Sequence, residues 1–355
     1  MKTTVSPRRR RLFSRKLDFA RGCVELTHGA GGKASAQLFE ELFRPAFANE
    51  ALDRGDDGAQ CVGAARLVVA TDSHVVSPLF FPGGDIGALA VHGTVNDVAM
   101  AGAEPKYLTA GFILEEGFPL SDLRRIVDSM AAAAGEAGVA IVAGDTKVVE
   151  RGKGDGVFIN TTGVGFIPAG LRRAPSAANA RPGDLILVSG AIGDHGVTIL
   201  AAREALPLTG PIRSDSAALN RLAMRLLADV DGVRALRDPT RGGLATAVNE
   251  ICRSSGTGAL LREEAIPIKR PVEAACELLG VDPLYLANEG KMIAIVAPEA
   301  ATDALAVLRA HPLGAEAAII GEVVEDPDNF VQMETAFGGK RLVDWLTGDP
   351  LPRIC

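Results

Sequence analysis

Short apolar segments alternate with amphipathic helical stretches from Ala65 onward, and this alternation is the strongest constraint on the fold. In the first half, the apolar segments that predict strands lie at 65–73, 106–114, 139–146 and 156–167. Helical stretches lie between them at 85–102 and 120–138. A segment rich in Pro, Gly and Ala at 167–184 then predicts a linker.

The second half repeats this mixture at a similar size. Strands are predicted at 184–190, 257–262, 291–297 and 316–324. The predicted helices lie at 196–204, 215–229, 242–254, 270–280 and 299–311. Because a chain of 355 residues is long for a single core, and domains usually contain about 100–200 residues, the sequence predicts two mixed α/β units.

The composition argues against several classes of protein. A formal net charge of −7 argues against a dominant nucleic-acid-binding surface. The 5 cysteines contain no C-x-x-C pair, so neither a disulfide framework nor a zinc site is indicated, and a reducing cytoplasm is expected. No apolar run approaches the roughly 18 residues needed to span a bilayer. Residues 1–27 are basic without a following apolar stretch, which favours a basic arm over an export signal.

Acidic and amide side chains collect where apolar strands end and in the neighbouring helix and turn. They are Asp56, Asp57, Asp72, Asn96, Asp97 and Asp145. Carboxylates that converge would repel one another unless a cation neutralised them, and Mg²⁺ accepts such ligands together with water and phosphate oxygens. The alternative for each residue is a helix or turn cap. Acidic residues at four places in one half, two strand ends, a helix and a turn, favour the metal site.

Two further segments suit phosphate binding, although no Gly-x-x-x-x-Gly-Lys loop is present. The segment "THGAGGK" at 27–33 ends in Lys33, and its glycines would let backbone N–H groups approach a phosphate. In "RDPTRGGLA", Thr240 and Arg241 precede a predicted helix whose N-terminus would attract an anion. A flexible loop and a plain helix start are the alternatives. Together with the acids, the two segments favour Mg-nucleotide binding without a P-loop.

Three more residues carry chemistry that the pattern alone leaves open. Lys147, two residues after Asp145, is a charge clamp or base in one interpretation and a solvated lysine in the other. Glu289 lies in a polar turn before an apolar segment. The chain ends at Cys355, and an extended tail from Gly348 would reach roughly 25 Å. Such a tail either frays without a role or carries a thiol into a pocket.

Taken in order, these motifs resemble the HypE family, the carbamoyl dehydratases of [NiFe]-hydrogenase maturation. The matching segments are "HGAGGK", "DDGA", "TDSHVVSPLFFPGGDIGALAVHGTVNDVAMAGAEP", "VAGDTKVVE", "SGAIGDHG", "DPTRGGLA", "LYLANEGK" and "PRIC". The resemblance extends from about His28 to Cys355. The family belongs to a superfamily with aminoimidazole ribonucleotide synthetase, selenophosphate synthetase and thiamine-monophosphate kinase.

The resemblance implies a two-domain α+β fold of the aminoimidazole ribonucleotide synthetase type. It implies an N-terminal domain at 28–168 that binds ATP and Mg²⁺, a C-terminal domain at 180–340 and a mobile tail at 341–355. Two N-terminal domains would form a shared β-barrel in a homodimer, with ATP in a cleft beside it.

The resemblance also implies a reaction: ATP-dependent dehydration of a carbamoyl group on Cys355, from thiocarboxamide to thiocyanate, which supplies cyanide for the hydrogenase iron. The carbamoyltransferase HypF would load the thiol, and the HypC–HypD scaffold would receive the cyanide. The implied metal ligands are Asp57, Asp72, Asp97 and Asp145. The implied nucleotide-binding residues add Gly31, Gly32, Lys33, Asp85, Asn96, Thr240 and Arg241. Lys147 and Glu289 would transfer protons.

Two alternatives stay open at this point. One is a superfamily relative that phosphorylates a small molecule, and the other is a carrier or scaffold that binds ATP only for stability. Cys355 discriminates between the dehydratase and the first alternative, because a kinase of this type would keep full activity without that thiol.

Overall fold

The computed structural model describes residues 16–30, 32–54, 58–171, 173–204, 212–346 and 353–355. Residues 1–15 of the predicted basic arm lie outside these ranges, as do residues 347–352 of the predicted tail. Gly31, Asp56 and Asp57 also lie outside the described residues.

A four-stranded sheet forms the centre of the first half. Its strands are β1 (Leu67–His74), β4 (Glu104–Glu115), β5 (Ala140–Val149) and β6 (Val157–Phe166), in the order β1-β6-β4-β5. Strand β6 pairs antiparallel with β1 and β4, whereas β4 and β5 are parallel. A separate small hairpin joins β2 (Phe80–Phe81) and β3 (Gly84–Asp85).

Two helices cover one face of this sheet. They are α4 (Ile86–Met100) and α5 (Leu120–Ala137), and α5 supplies the crossover between the parallel strands. Shorter helices precede the sheet: α1 (Lys33–Leu38), α2 (Arg44–Ala46) and α3 (Glu50–Arg54), with a π-helical turn at Phe39–Phe43 between the first two. No described helix covers the opposite face of the sheet, which we call the open face, and Leu67, Val69 and Ile113 are 55%, 58% and 46% exposed there.

A seven-stranded sheet forms the centre of the second half. Its strands are β7 (Leu185–Val188), β8 (Val233–Arg237), β9 (Gly258–Arg262), β10 (Ile293–Val296), β11 (Ala318–Val324), β12 (Val331–Glu334) and β13 (Lys340–Leu342), in the order β13-β12-β9-β11-β7-β10-β8. The helices of this half are α6 (Asp194–Arg203), α7 (Asn220–Asp229), α8 (Gly243–Ser255), α9 (Arg270–Leu279) and α10 (Ala301–Arg309). Only the β9–β12 pair in this sheet is parallel.

Helix α4 joins the two halves. It packs against β1, β4 and β6 of its own sheet and against α7 and β8 of the second half, so it is buried on almost every side. Its sequence is accordingly apolar around most of its circumference. Within the described residues, no helix is long and apolar enough to cross a membrane.

The elements predicted in the first half agree with the observed ones, although α1, α2, α3 and the β2–β3 hairpin were not predicted. The helix predicted at 215–229 begins only at Asn220, because the residues before it form an extended segment bound to the first half. Strands β8, β12 and β13 are not predicted, since each is short and carries charged residues among its apolar ones.

Helices α4 and α5 approach closely at Gly87, and this contact predicts opposite effects for two glycine substitutions. A Cβ atom at Gly87 would lie 2.2 Å from the Ile126 carbonyl oxygen, whereas a Cβ at Gly135 on α5 would meet nothing within 4 Å. We expect Gly87→Ala to destabilise the protein by about 1–3 kcal/mol through overpacking. We expect Gly135→Ala to stabilise it by up to about 1 kcal/mol through helix propensity. Urea unfolding measures both, and a neutral Gly87→Ala would contradict the close approach.

Candidate functional site

A cavity of about 420 Å³ lies between the two halves of the chain. From the first half, Thr71 and Asp72 near the end of β1 line it together with Asp97 of α4. The remaining lining residues include Arg237, Asp238, Thr240, Arg241, Glu289 and Cys355. Four acidic side chains and a thiol thus share one cavity.

The loop after β8 provides one wall of the cavity. Thr240 and Arg241 precede α8, as predicted, and Gly242 and Gly243 adopt positive φ angles of 75° and 61° that side chains rarely tolerate. Asp238 lies in the same loop and is the acidic residue that the sequence analysis missed. Asp238 follows a strand, which is the sequence pattern that identified Asp72. It was missed because β8 was not predicted.

Burial and mutual repulsion raise the pKa values of two of these carboxyl groups. Burial, and then the charges of Asp238 and Asp72, raise the pKa of Asp97 to about 7. Burial raises the pKa of Asp238 to about 6, with Asp72 again contributing. Arg237 acts in the opposite direction on both groups. The cavity therefore disfavours several negative charges at once and would gain from a cation.

Glu289 is the most deeply buried acid of the cavity. Its side chain is buried, and its Oε1 atom has no hydrogen-bond partner among the described residues. Burial, and then the charge of Asp238, raise the pKa of Glu289 well above its usual value. Its backbone N–H donates to Asp215 Oδ1 at 3.1 Å, which fixes its position. The cavity thus favours the protonated form of Glu289 over its carboxylate.

The donor set of the cavity fits Mg²⁺ only in combination with phosphate oxygens. Among the described residues, no group of three or more His, Cys, Asp or Glu side chains is arranged to hold a metal ion by itself. Mg²⁺ commonly binds through one or two carboxylates, with water and substrate phosphates completing the octahedron. Asp72, Asp97 and Asp238 can supply such carboxylates, whereas Asp57 lies outside the described part of the chain.

Asp145 and Lys147 lie in a different cavity, of about 350 Å³. This cavity is lined by β5, by aromatic residues of the short N-terminal helices and by His28 and Gly29 of the glycine-rich segment. Lys147 Nζ forms an ion pair with Asp145 Oδ2, and this contact lowers the pKa of Asp145. Gly32 precedes α1, which begins at Lys33, and both residues are exposed.

The sheet itself separates Lys147 from Glu289. Lys147 pairs with Ile113 across β4 and β5, and both residues lie on the open face. Asp72 lies on the face covered by α4, as the alternating burial of β1 shows. Within one chain, the predicted proton-transfer pair is therefore not assembled.

Two of the predicted nucleotide-binding residues have structural roles in the described chain. Asp85 caps α4, because its Oδ1 atom accepts hydrogen bonds from the backbone N–H groups of Gly87 and Ala88 at 2.8 and 3.1 Å. Asn96 is buried, donates to the Ala217 carbonyl at 3.1 Å and accepts from the Leu219 N–H at 2.7 Å. These contacts account for both side chains without a ligand.

Comparisons with known proteins place this geometry in context. Residues 55–167 match the family description "AIR synthase related protein, N-terminal domain", and residues 181–334 match "AIR synthase related protein, C-terminal domain". The chain is 64% identical over 341 residues to the "Carbamoyl dehydratase HypE" of Azotobacter vinelandii, covering 96% of this chain and 99% of the relative.

Solved structures agree with this match. A crystal structure of hydrogenase maturation protein HypE in complex with ATP is 52% identical, has a TM-score of 0.90 and covers 93% of this chain and 99% of its own. A HypE–HypF complex is 50% identical, with a TM-score of 0.76 and coverage of 87% and 99%.

The raised pKa of Glu289 predicts a pH-dependent cost to folding. The folded protein holds this proton more tightly than the unfolded chain, so the contribution is favourable at low pH and is lost as the pH rises. Glutamine does not titrate. We therefore expect the stability of Glu289→Gln relative to the unsubstituted protein to increase between roughly pH 5 and roughly pH 8.

Urea unfolding across that range measures this difference, with Glu299→Gln at an exposed position as the matched control. A stability difference for Glu289→Gln that does not change with pH would contradict the buried neutral acid.

Proposed function

The chain belongs to the carbamoyl dehydratase HypE family of the AIR synthase superfamily, and we propose that it dehydrates a carbamoyl group carried on its own Cys355. The observation that supports this most directly is the position of Cys355 in the same cavity as Glu289, Asp72 and Asp97. The product would be a thiocyanate on Cys355, a source of cyanide ligands for the iron of a [NiFe]-hydrogenase.

The dehydration needs a leaving group. The carbamoyl oxygen would accept the γ-phosphoryl group of ATP, forming a new P–O bond as ADP departs, and the C–O bond would then break to release phosphate. The carbamoyl nitrogen would lose both of its protons as the C≡N bond forms, one to the Glu289 carboxylate and the other to water. Mg²⁺, held by Asp72, Asp97 and Asp238 together with the phosphates, would neutralise charge on the transferring group.

Glu289 suits the proton transfers of this reaction. As a neutral acid it can give its proton to the departing phosphate oxygen, and as the resulting carboxylate it can take a proton from the carbamoyl nitrogen. Glu289 would therefore be protonated again at the end of each catalytic cycle. Its unpartnered Oε1 and its place in the cavity of Cys355 support this role.

In the dimer proposed below, the nucleotide would contact the carboxylate cavity of one subunit and the glycine-rich segment of the other. Thr240 and Arg241 line the carboxylate cavity and are suited to phosphate oxygens, since Arg offers several N–H donors. The glycine-rich segment, with Gly31, Gly32 and Lys33, would bind the other end, with Asp57 as a further acid. Asp85 and Asn96 would act indirectly, by fixing α4 behind Asp97.

We further propose that the working enzyme is a homodimer in which two four-stranded sheets close into a β-barrel. The exposed apolar residues Leu67, Val69 and Ile113 on the open face favour burial against a second copy. Strands β1 and β5 are the two edges of the sheet, so closure would bring an edge of one copy beside an edge of the other. Asp145 and Lys147 of the partner subunit could then reach the cavity that contains Glu289.

Two protein partners and a cellular compartment follow from the proposed reaction. The related HypE–HypF complex supports HypF as the carbamoyl donor, and the iron of a HypC–HypD scaffold is the proposed acceptor of cyanide. A thiol that must stay reduced between reactions suits the cytoplasm, where we place the enzyme.

Intact-protein mass spectrometry tests the reaction. Protein incubated with HypF and a carbamoyl donor should gain the mass of one carbamoyl group on Cys355, and should lose the mass of one water only after ATP and Mg²⁺ are added. Glu289→Gln should accept the carbamoyl group but lose water on the order of a hundredfold more slowly. An adduct that persists in Cys355→Ala, or water loss without ATP, would contradict the proposal.

Mixed dimers test whether the partner subunit completes the site. Lys147→Ala and Glu289→Gln should each be inactive alone. Co-expressed, they should recover about a quarter of the unsubstituted activity, because half of the dimers are mixed and each has one intact composite site. If both residues act within one subunit, the mixed dimers stay inactive, and that result would contradict the shared site. Co-expression of Glu289→Gln with Cys355→Ala is the control, since both of these residues lie in one cavity of one chain.

A further inference from the structure

Glu289 is held in the carboxylate cavity through its backbone. Its N–H donates to Asp215 Oδ1 at 3.1 Å. Its carbonyl oxygen accepts from the Ala217 N–H at 3.2 Å and from Asn96 Nδ2 at 3.4 Å. The carboxyl Oε1 atom, in contrast, has no hydrogen-bond partner among the described residues, so the place of this carboxyl group depends on the backbone contacts. We call residues 214–217 the clamp segment.

The clamp segment is also bonded to α4, the helix that carries Asp97. Ser216 Oγ lies 2.9 Å from Nδ1 of His92 on this helix. The Asn96 side-chain amide, on the same helix, donates to the Ala217 carbonyl oxygen at 3.1 Å. One short segment therefore fixes the backbone of the proposed acid relative to the helix of a proposed metal ligand.

An ion pair holds Asp215 in one orientation. Its Oδ2 atom accepts from Lys291 Nζ at 3.1 Å, which leaves Oδ1 directed at the Glu289 N–H. The side chains of Asp215 and Lys291 are only 3% and 13% exposed, so little water competes for these bonds. The backbone of Asp215 also packs against Gly290, where a Cβ atom would lie 1.8 Å from the Asp215 carbonyl oxygen. The absence of a side chain at Gly290 is thus what lets the clamp segment reach Glu289.

We propose that Asp215 is a positioning residue for the dehydration, and that its contact sets the carboxyl group of Glu289 where the carbamoyl group is presented. Asp215 lines a separate cavity of about 300 Å³ and not the carboxylate cavity, so it acts through Glu289 and not on the reacting atoms. The role in dehydration rests on the proposed function, whereas the clamp does not.

Two double variants that differ in one amide group test the clamp. Asp215→Ala/Lys291→Gln removes the acceptor of the Glu289 N–H, and Asp215→Asn/Lys291→Gln keeps an acceptor oxygen there. Neither variant leaves a buried charge unpaired, which would by itself be strongly destabilising.

Hydrogen exchange at the Glu289 amide reads the clamp directly, without any substrate. We expect this amide to exchange about tenfold faster or more in Asp215→Ala/Lys291→Gln, while the amides of the β4–β6 pair keep their protection. It should stay protected in Asp215→Asn/Lys291→Gln. Equal protection of the Glu289 amide in the two variants would overturn the clamp.

ATP-dependent loss of water from carbamoylated Cys355 reads the positioning role. At saturating ATP, Asp215→Ala/Lys291→Gln should lose water about a hundredfold more slowly, because a displacement of about 1 Å at a reacting group can cost that much. The ATP concentration for half-maximal rate should not change, since Asp215 lies outside the carboxylate cavity. Asp215→Asn/Lys291→Gln should react within about tenfold of the unsubstituted rate, because it keeps the acceptor.

Asp184→Ala is the matched control for a buried aspartate with the same kinds of contact. The Asp184 side chain is 3% exposed, as is that of Asp215. Its Oδ2 accepts the Arg181 N–H at 2.8 Å, and its Oδ1 lies 3.5 Å from Arg234 Nε. We expect Asp184→Ala to lower stability in urea unfolding but to keep both the rate of water loss and the protection of the Glu289 amide. A hundredfold slower reaction in Asp184→Ala would assign the effect to destabilisation and overturn the positioning role.

The two proposals fail in different ways. If the unsubstituted carbamoylated protein does not lose water with ATP, the proposed reaction is wrong, and faster exchange at the Glu289 amide would still support the clamp. If the unsubstituted protein loses water and Asp215→Ala/Lys291→Gln loses it equally fast, the positioning role is wrong and the proposed reaction stands.

Discussion

Repulsion among buried carboxyl groups is the interaction on which the site depends. Asp72, Asp97 and Asp238 come from three separate elements and line one cavity, where burial makes each additional negative charge less favourable. The same field favours the protonated form of Glu289. One arrangement thus favours a cation with its phosphates and preserves an acid able to give up a proton at neutral pH.

The four-stranded sheet imposes a second constraint. It places Asp72 on the face covered by α4 and Lys147 on the open face, so a single chain does not bring Lys147 to the carboxylate cavity. An open face with exposed Leu67 and Val69 indicates a missing covering layer. A barrel shared by two copies would supply that layer and the separated lysine through the same contact.

Sequence reasoning predicted the strands and helices of the first half well, because their periodicity is strong and their segments are long. It also found Asp72 and Asp97 through their positions near strand and helix ends. It missed Asp238 because β8 is a short strand with charged residues, which periodicity does not reveal. It could not show that Asp145 faces away from Asp72, since the face of a side chain depends on register. The prediction of helix before Asn220 was wrong because tertiary hydrogen bonds override the local helix propensity there.

The contacts of Asn96 bear on how anything enters the cavity. This buried side chain belongs to the first half, yet it holds the backbone of Ala217 and Leu219 in the second. Swinging the halves apart like a hinge would break these bonds in a place that water does not reach. Reactants are therefore expected to enter and leave while these bonds between the halves stay in place.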